Sequence, residues 1–432
     1  MHRAAARRLV VTATFATFAA TAFAVEIPGP DDVRFRIDLE ARFRPEWRTN
    51  ADFNDRIDDD QGFVDQRVRA GFGIAKGNVA AYFQIQDVRR WGSEPSTLAN
   101  TDNVDLKLGY VDWNDDTAAW KVRAGRQELI YGEERLVGGT DWNMFGRSFD
   151  AIRFAYATAG WDLDGFAARV ADRGLDESNQ DFFGVYATIL KPHPGIHLDL
   201  YALWLRDGLE QVGEIPTEGI ENSSIVTVGF RAFGEASGFS YNVEAVGQGG
   251  DRATDHHEAW AIATRAGYTF AAKCKPHVAV GYDTASGDAD PADGESREFV
   301  NLFPTNHGFY GYMDYLGWRN VEDLYLRLRF EPAANVIVQA DLHDLHLREA
   351  SGRWSDSAGV TILPGIPGGA AGDALGQELD LTLKVGLKNW KFQAGYSRFF
   401  AGEVPEEAQN FIVTNLAGDD SDWGYVMATV KF

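Results

Sequence analysis

The sequence predicts an all-β fold: a transmembrane antiparallel up-and-down barrel of eighteen strands, though sixteen would also close. Three observations carry this. Segments that alternate apolar and polar residues recur along the chain, each about the 9 to 11 residues that a tilted strand needs to cross a bilayer. The connections between them alternate long and short, and the last segment ends on a phenylalanine.

The chain opens with MHRAAARRLVVTATFATFAATAFAVE, in which Arg3, Arg7 and Arg8 precede an apolar run closed by Ala22-Phe23-Ala24. This is the layout of a secretory signal peptide, with cleavage expected after Ala24. A barrel domain over 25–432 follows. Its net charge becomes -26 once those three arginines leave a chain of net charge -23. Such acidity argues against nucleic acid as a partner. No later run reaches the roughly 18 apolar residues of a membrane helix. The lone Cys274 forms neither a disulfide framework nor a metal motif. Forty-five glycines and heavy use of Phe, Tyr and Trp suit an all-β chain with many turns.

The first strand is VRFRIDLEARF (33–43), where Val33, Phe35, Ile37 and Leu39 alternate with Arg34, Arg36, Asp38, Glu40 and Arg42. Clear successors lie at 64–74, 79–86, 226–232, 239–247, 324–330, 378–385 and 424–432. Weaker ones begin near 104, 120, 149, 161, 182, 198, 260, 278, 336 and 390. Long connections are expected at ADFNDRIDDDQ, RRWGSEPSTLANTDN, 128–147, ADRGLDESNQD, 207–223, 249–258, 284–320, 344–375 and 401–421. Between them fall the short turns KGN, NDDTA, ATAG, KPHPGI, GEASG, AAKCKP, EPAAN and GLKN. Short turns on one rim and long loops on the other mark an outer-membrane barrel, and a soluble sandwich has no reason to keep the rule. An even strand number then places both termini on the periplasmic, short-turn rim. The final YVMATVKF, ending at Phe432, resembles the signal read by the outer-membrane assembly machinery.

A charge on the lipid face costs about 2 to 4 kcal/mol at the midplane, so charged strand positions should face the lumen. The basic inward set is Arg34, Arg36, Arg42, Arg44, Arg67, Arg69, Lys107, Lys121, Arg123, Arg153, Arg231, Arg265, Arg327, Arg329, Lys384, Lys391 and Lys431. The acidic set is Asp38, Glu40, Asp65, Asp105, Asp199, Glu244, Asp341, Glu378 and Asp380. Seventeen against nine is an excess of eight; Asp162 and Asp164, on a strand of broken pattern, would reduce it to six. A basic bore favours anions, and its arginine bias suits carboxylates. The plainer alternative is that these charges pair across strands and wet the wall. Asp288, Asp290 and Asp293 match no calcium loop and read as solvated charge beside lipopolysaccharide. His256-His257-Glu258, and His343 with His346, lack a third ligand and read as solvent-facing. No motif joins a nucleophile to a base, so no enzyme, cofactor or metal is expected.

Four stretches exceed what barrel physics requires: GRQELIYGEERLVGGTDWNMFGRSFDAIRF (125–154), SGDADPADGESREFVNLFPTNHGFYGYMD (286–314), GQELDLTL (376–383) and GYSRFFAG (395–402). Together they resemble the alginate export family of outer-membrane porins over nearly the whole mature chain. The resemblance implies a monomeric eighteen-stranded barrel with a narrow, arginine-rich pore for a uronic-acid polymer or related acidic solute. It also implies that Arg126, Arg135, Asp141, Arg147, Asp150 and Arg153 lie on or beside a long loop folded towards the pore, either serving it or holding the loop to the wall. Asp288, His307 and Asp314 would order the 284–320 loop. Dedicated alginate exporters resemble a gated device with a long periplasmic turn that plugs the bore. Every inner turn expected here is about six residues or fewer, which favours passive passage of anionic solutes over secretion of a polysaccharide. A third reading is a surface-binding barrel acting through its long loops.

Overall fold

The computed structural model describes residues 25–432 except 95, 97–103, 116, 118, 173–178, 194 and 209–221. The expected signal peptide, 1–24, falls outside them. Eighteen strands form one closed antiparallel barrel. They are β1 (Arg34–Thr49), β2 (Gln61–Lys76), β3 (Val79–Arg90), β4 (Asp105–Asn114), β5 (Trp120–Gln127), β6 (Phe149–Ala157), β7 (Trp161–Ala171), β8 (Gln180–His193) and β9 (Ile196–Asp207). The second half comprises β10 (Ser223–Ala236), β11 (Phe239–Arg252), β12 (Asp255–Thr269), β13 (His277–Ala285), β14 (Val321–Ala333), β15 (Val336–His346), β16 (Ala374–Leu387), β17 (Trp390–Ala401) and β18 (Ser421–Lys431). Each pairs with its neighbour in sequence, and β1 closes the ring on β18, with Glu40 opposite Lys431 and Arg42 opposite Thr429. Below that pairing a short strand, Val25–Pro28, takes over the free edge of β1, setting Val25 against Ile37.

Alternation decides the two faces. Ile37, Leu39, Phe72, Phe83, Ile152, Phe154, Leu324, Leu326 and Leu381 stand exposed on the outside, where lipid would cover them. Trp113, Trp120, Trp161, Phe239 and Trp390 ring the short-turn rim; Trp47, Trp91, Trp204, Trp260 and Phe400 ring the other. Two aromatic girdles flanking an apolar band are what a barrel needs at the two membrane interfaces.

The buried core lies inside the barrel. Leu129, Leu136 and Val137 from the 128–148 loop and Phe299, Phe303, Tyr310 and Trp318 from the 286–320 loop fill its long-loop half. They pack on wall residues such as Phe149, Phe182 and Phe399. The two loops join at a parallel bridge between Val137 and Phe303. Trp354, from the 347–373 loop, closes over them with its indole N–H donated to the Tyr315 carbonyl at 2.9 Å.

The loop rhythm holds with one correction. The stretch 249–258, expected to be a long loop, is strand to either side of a tight turn at 253–254, with Arg252 opposite Asp255. Its polar composition reads as loop because this hairpin rises past the apolar band. Out there backbone pairing, rather than hydropathy, sustains a strand.

Candidate functional site

The site grows from charged positions that alternation aims inward. On β1 and β2, Arg42 faces Arg67 and Glu40 faces Arg69 across the ladder. Like charges opposed in this way repel unless something lies between them, and the 128–148 loop supplies it. Asp141 Oδ2 lies 2.7 Å from Arg42 Nη2, and its Oδ1 lies 2.9 Å from Arg67 Nη2 and 3.4 Å from Arg69 Nη1. Enclosure in the bore opposes ionisation, but Arg42 and Arg67, then Arg69, hold this carboxyl well below the usual range.

Main-chain carbonyls do the rest. Arg44 donates to Trp142 O at 2.6 Å, Arg67 to Met144 O at 3.3 Å, Arg69 to Phe145 O at 3.0 Å and Lys107 to Arg147 O at 2.8 Å. Gly146, at φ +64°, permits that approach, since a Cβ there would sit 2.9 Å from Lys107 Nζ. The loop tip is therefore held by five cations; its carbonyls carry no net charge, so what offsets them is Asp141 together with Glu40, Glu46 and Glu128, which pair with Arg67, Arg44 and Lys107.

Elsewhere the wall is paired. Arg123 binds Asp112 at 2.7 Å, Arg231 binds Asp199 at 2.9 Å, and Arg327 binds Asp341 at 2.7 Å. Arg153 holds Asp164 through a second contact at 2.9 Å, and Arg329 meets Glu331. Arg265 meets Glu133, whose carboxyl lies below its ordinary value because Arg265, Arg135 and Arg231 outweigh its burial. The inward acids Glu46, Asp112, Asp164, Asp283, Asp323 and Glu331 were not in the expected set. Asp283 and Asp323 lie at strand ends that flank the expected 284–320 loop, at the margins of the alternating runs, and Asp164 lies on the strand whose pattern is broken. The excess of eight was an overcount for this reason.

Several expected residues need relocating. Arg126 is not in the pore: it pairs with Asp150 at 3.2 Å on the outward face that carries Val122 and Ile152, beside the long-loop rim. Glu378 and Asp380 do face inward, but they are sealed against the 286–320 loop rather than open to the bore. Met313 N donates to Glu378 at 2.8 Å, and Gly311, at φ +90°, leaves room for that carboxylate. His257 and His343 are buried, not solvent-facing. His257 bridges Ser296 and Gln248, and His343 Nδ1 lies 2.9 Å from Asp323. Neighbouring strands roof both positions, which local spacing cannot reveal.

The remaining loop residues bind their own framework. Arg135 joins Asp283 and the Tyr310 hydroxyl, each at 2.9 Å. Arg147 donates to the carbonyls of Gly138, Phe303 and Pro304. Asp288 accepts the amides of Asp290 and Arg297. His307 lies 3.0 Å from Asp314 and stacks on Trp142 at 3.9 Å. Near the short-turn rim, Arg36 binds Asp38 at 3.2 Å, and the Tyr82 hydroxyl donates to Asp38; Arg34 is exposed opposite Pro28. Among the described residues no three potential ligands converge on a metal position.

Among the described residues, the infolded loops and the wall enclose a cavity of about 810 Å³. Its wall includes Arg42, Arg265, Arg327, Arg329, Lys384, Lys391 and Lys431, and its far end is formed by Glu133, Asp141, Trp142 and His307 of the two infolded loops.

A closed strand barrel with an apolar outer band, a polar lumen and loops folded into that lumen defines an outer-membrane porin-like channel. The chain belongs to the alginate export family, whose model matches residues 33–418. That membership makes it a transport channel rather than an enzyme. No curated protein matches it in sequence. Solved structures of like fold include Pseudomonas aeruginosa OccK8 (OprE), 11% identical with TM-score 0.60 over 92% of this chain and 98% of that one. Pseudomonas aeruginosa OprD is 13% identical, with TM-score 0.59 over 96% and 95%. OpdK of the same organism, solved with vanillate, is 9% identical, with TM-score 0.59 over 92% and 98%.

Proposed function

We propose that this barrel passes anionic solutes, uronic-acid oligomers or other sugar and organic acids, by diffusion across the outer membrane. One observation carries the reading: about Asp141 and along the cavity wall beside it cluster eight cations, Lys384, Lys391, Lys431, Arg42, Arg44, Arg67, Arg69 and Lys107, and the carboxylates seen in contact with this cluster include Glu40, Glu46, Glu128 and Asp141. Low-dielectric walls focus such an excess along a channel and draw anions in. Paired charges elsewhere add little to the field, so preference arises in this sector rather than from the whole lumen.

In this reading the short-turn rim and both termini face the periplasm after loss of residues 1–24, and the long loops face lipopolysaccharide. The barrel acts as a monomer. Its short turns are brief, 270–276 being the longest between strand ends, and that brevity speaks for passive exchange over polymer secretion. Vanillate, present in one structure of like fold, is likewise a carboxylate. Reversal potentials in planar bilayers under a salt gradient test the proposal. Anion-over-cation permeability is expected, and cation preference would overturn it.

A further inference from the structure

We propose that Arg42, Arg67 and Arg69 form a carboxylate-binding site which the chain's own Asp141 occupies, and that a sugar carboxylate in transit binds there by exchanging with it. The inference rests on the anion-channel reading and adds to it an internal competitor.

The three arginines are fixed and nearly inaccessible, with side-chain exposures of 6%, 0% and 7%, whereas the Asp141 side chain is 64% exposed. Asp141 and Arg42 both line the cavity. A solute therefore reaches the carboxylate from its open side, while the cations behind it stay in place. They stay because each has other partners. Arg67 Nε donates to Glu40 at 2.9 Å, and Arg69 Nε donates to Gln86 at 3.1 Å. The carbonyls of Met144 and Phe145 hold the same two guanidinium groups from the loop side. Arg42 Nη1 donates to the Asp141 main-chain carbonyl at 2.5 Å, a contact that rotation of the aspartate side chain leaves in place, and its enclosed Nε has no acceptor.

Exchange asks little of the fold. The loop's base is anchored by Leu129, Leu136 and Val137, and Trp142 is held between His307 and Arg44. Rotation of one exposed aspartate disturbs none of these. Meanwhile the tethered carboxylate competes with every solute at the high effective concentration of an attached group. It thus keeps the site weak enough for ligands to leave.

Current block by sodium glucuronate in single-channel recordings, with glucose as the neutral control, tests this on the full barrel. For Asp141→Asn the half-blocking concentration is expected to fall about tenfold, since the tethered competitor is gone. Asp141→Glu should stay within about twofold of the wild type by restoring it, and glucose should block none of them. If Asp141→Asn fails to insert, Arg42→Gln decides instead, with half-block expected to rise about tenfold through loss of a charge-assisted pair. An unchanged half-block in the inserted variant, or no glucuronate block at all, overturns the exchange site. Should reversal potentials still show anion preference in that case, the channel reading survives. Cation preference in the wild type would remove the channel reading itself.

Discussion

Arg135 Nη1 lies 2.9 Å from Asp283 Oδ2, both side chains wholly enclosed, and this contact ties the first infolded loop to the barrel wall. The guanidinium also lies over the Phe309 ring at 4.2 Å, which links it to the second loop. Removing one partner of a buried pair strands the other and costs about 3 to 5 kcal/mol. Arg135→Ala should therefore loosen both loops at once, seen as protease cleavage within 128–148 and 286–320 while the barrel survives on gels. The double change Arg135→Met with Asp283→Asn should recover much of the protection. Equal sensitivity in the double variant would show that charge pairing is not what holds the loops.

Selectivity should follow the cationic sector. Lys384→Glu combined with Lys391→Glu replaces two positive charges of the cavity wall by two negative ones. The reversal potential should move towards cation permeability without loss of barrel stability. The same exchange at Arg123, which already lies 2.7 Å from the Asp112 carboxylate, should move it less.

Acid should not open the Asp141 contact. Its folded-state carboxyl is depressed, so the stability it contributes is complete above the unfolded value of about 3.9 and is lost only as pH falls through the much lower folded value. The difference in half-block between wild type and Asp141→Asn should persist at pH 4.5. Its disappearance there would place the carboxyl in a different environment.

Outside the barrel, Arg126 and Asp150 form an exposed pair, with side-chain exposures of 36% and 60%. Such pairs contribute about 0 to 1 kcal/mol. Arg126→Ala should leave conductance and selectivity unaltered, and a drop in anion permeability would return this residue to the pore. By contrast, Leu326→Arg puts a cation on the lipid face, at a cost of about 2 to 4 kcal/mol if the site lies at the midplane. Folding into bilayers, followed by tryptophan fluorescence, should register that loss.

Much of this architecture was legible in residue order alone. A period of two needs only neighbouring residues, so VRFRIDLEARF already separates Ile37 and Leu39 from Arg36, Glu40 and Arg42. Turn lengths are likewise local, which is why seventeen connections could be sorted into two rims with one error, at 249–258.

Residue pattern by itself thus determined the barrel and the inward direction of the arginines on its strands, while the infolded loop was expected from the family resemblance, which also set Arg126 at the pore, where it does not lie. Only the tertiary structure decided which of those charges are free. Arg327 meets Asp341 across a strand pair and Arg135 meets Asp283 across 148 residues, and neither partner can be recognised from local pattern. Register and loop docking set those distances, and electrostatic cancellation depends on distance. An inward row of arginines becomes a neutral wall on one side of the barrel and, around Asp141, a cationic site on the other.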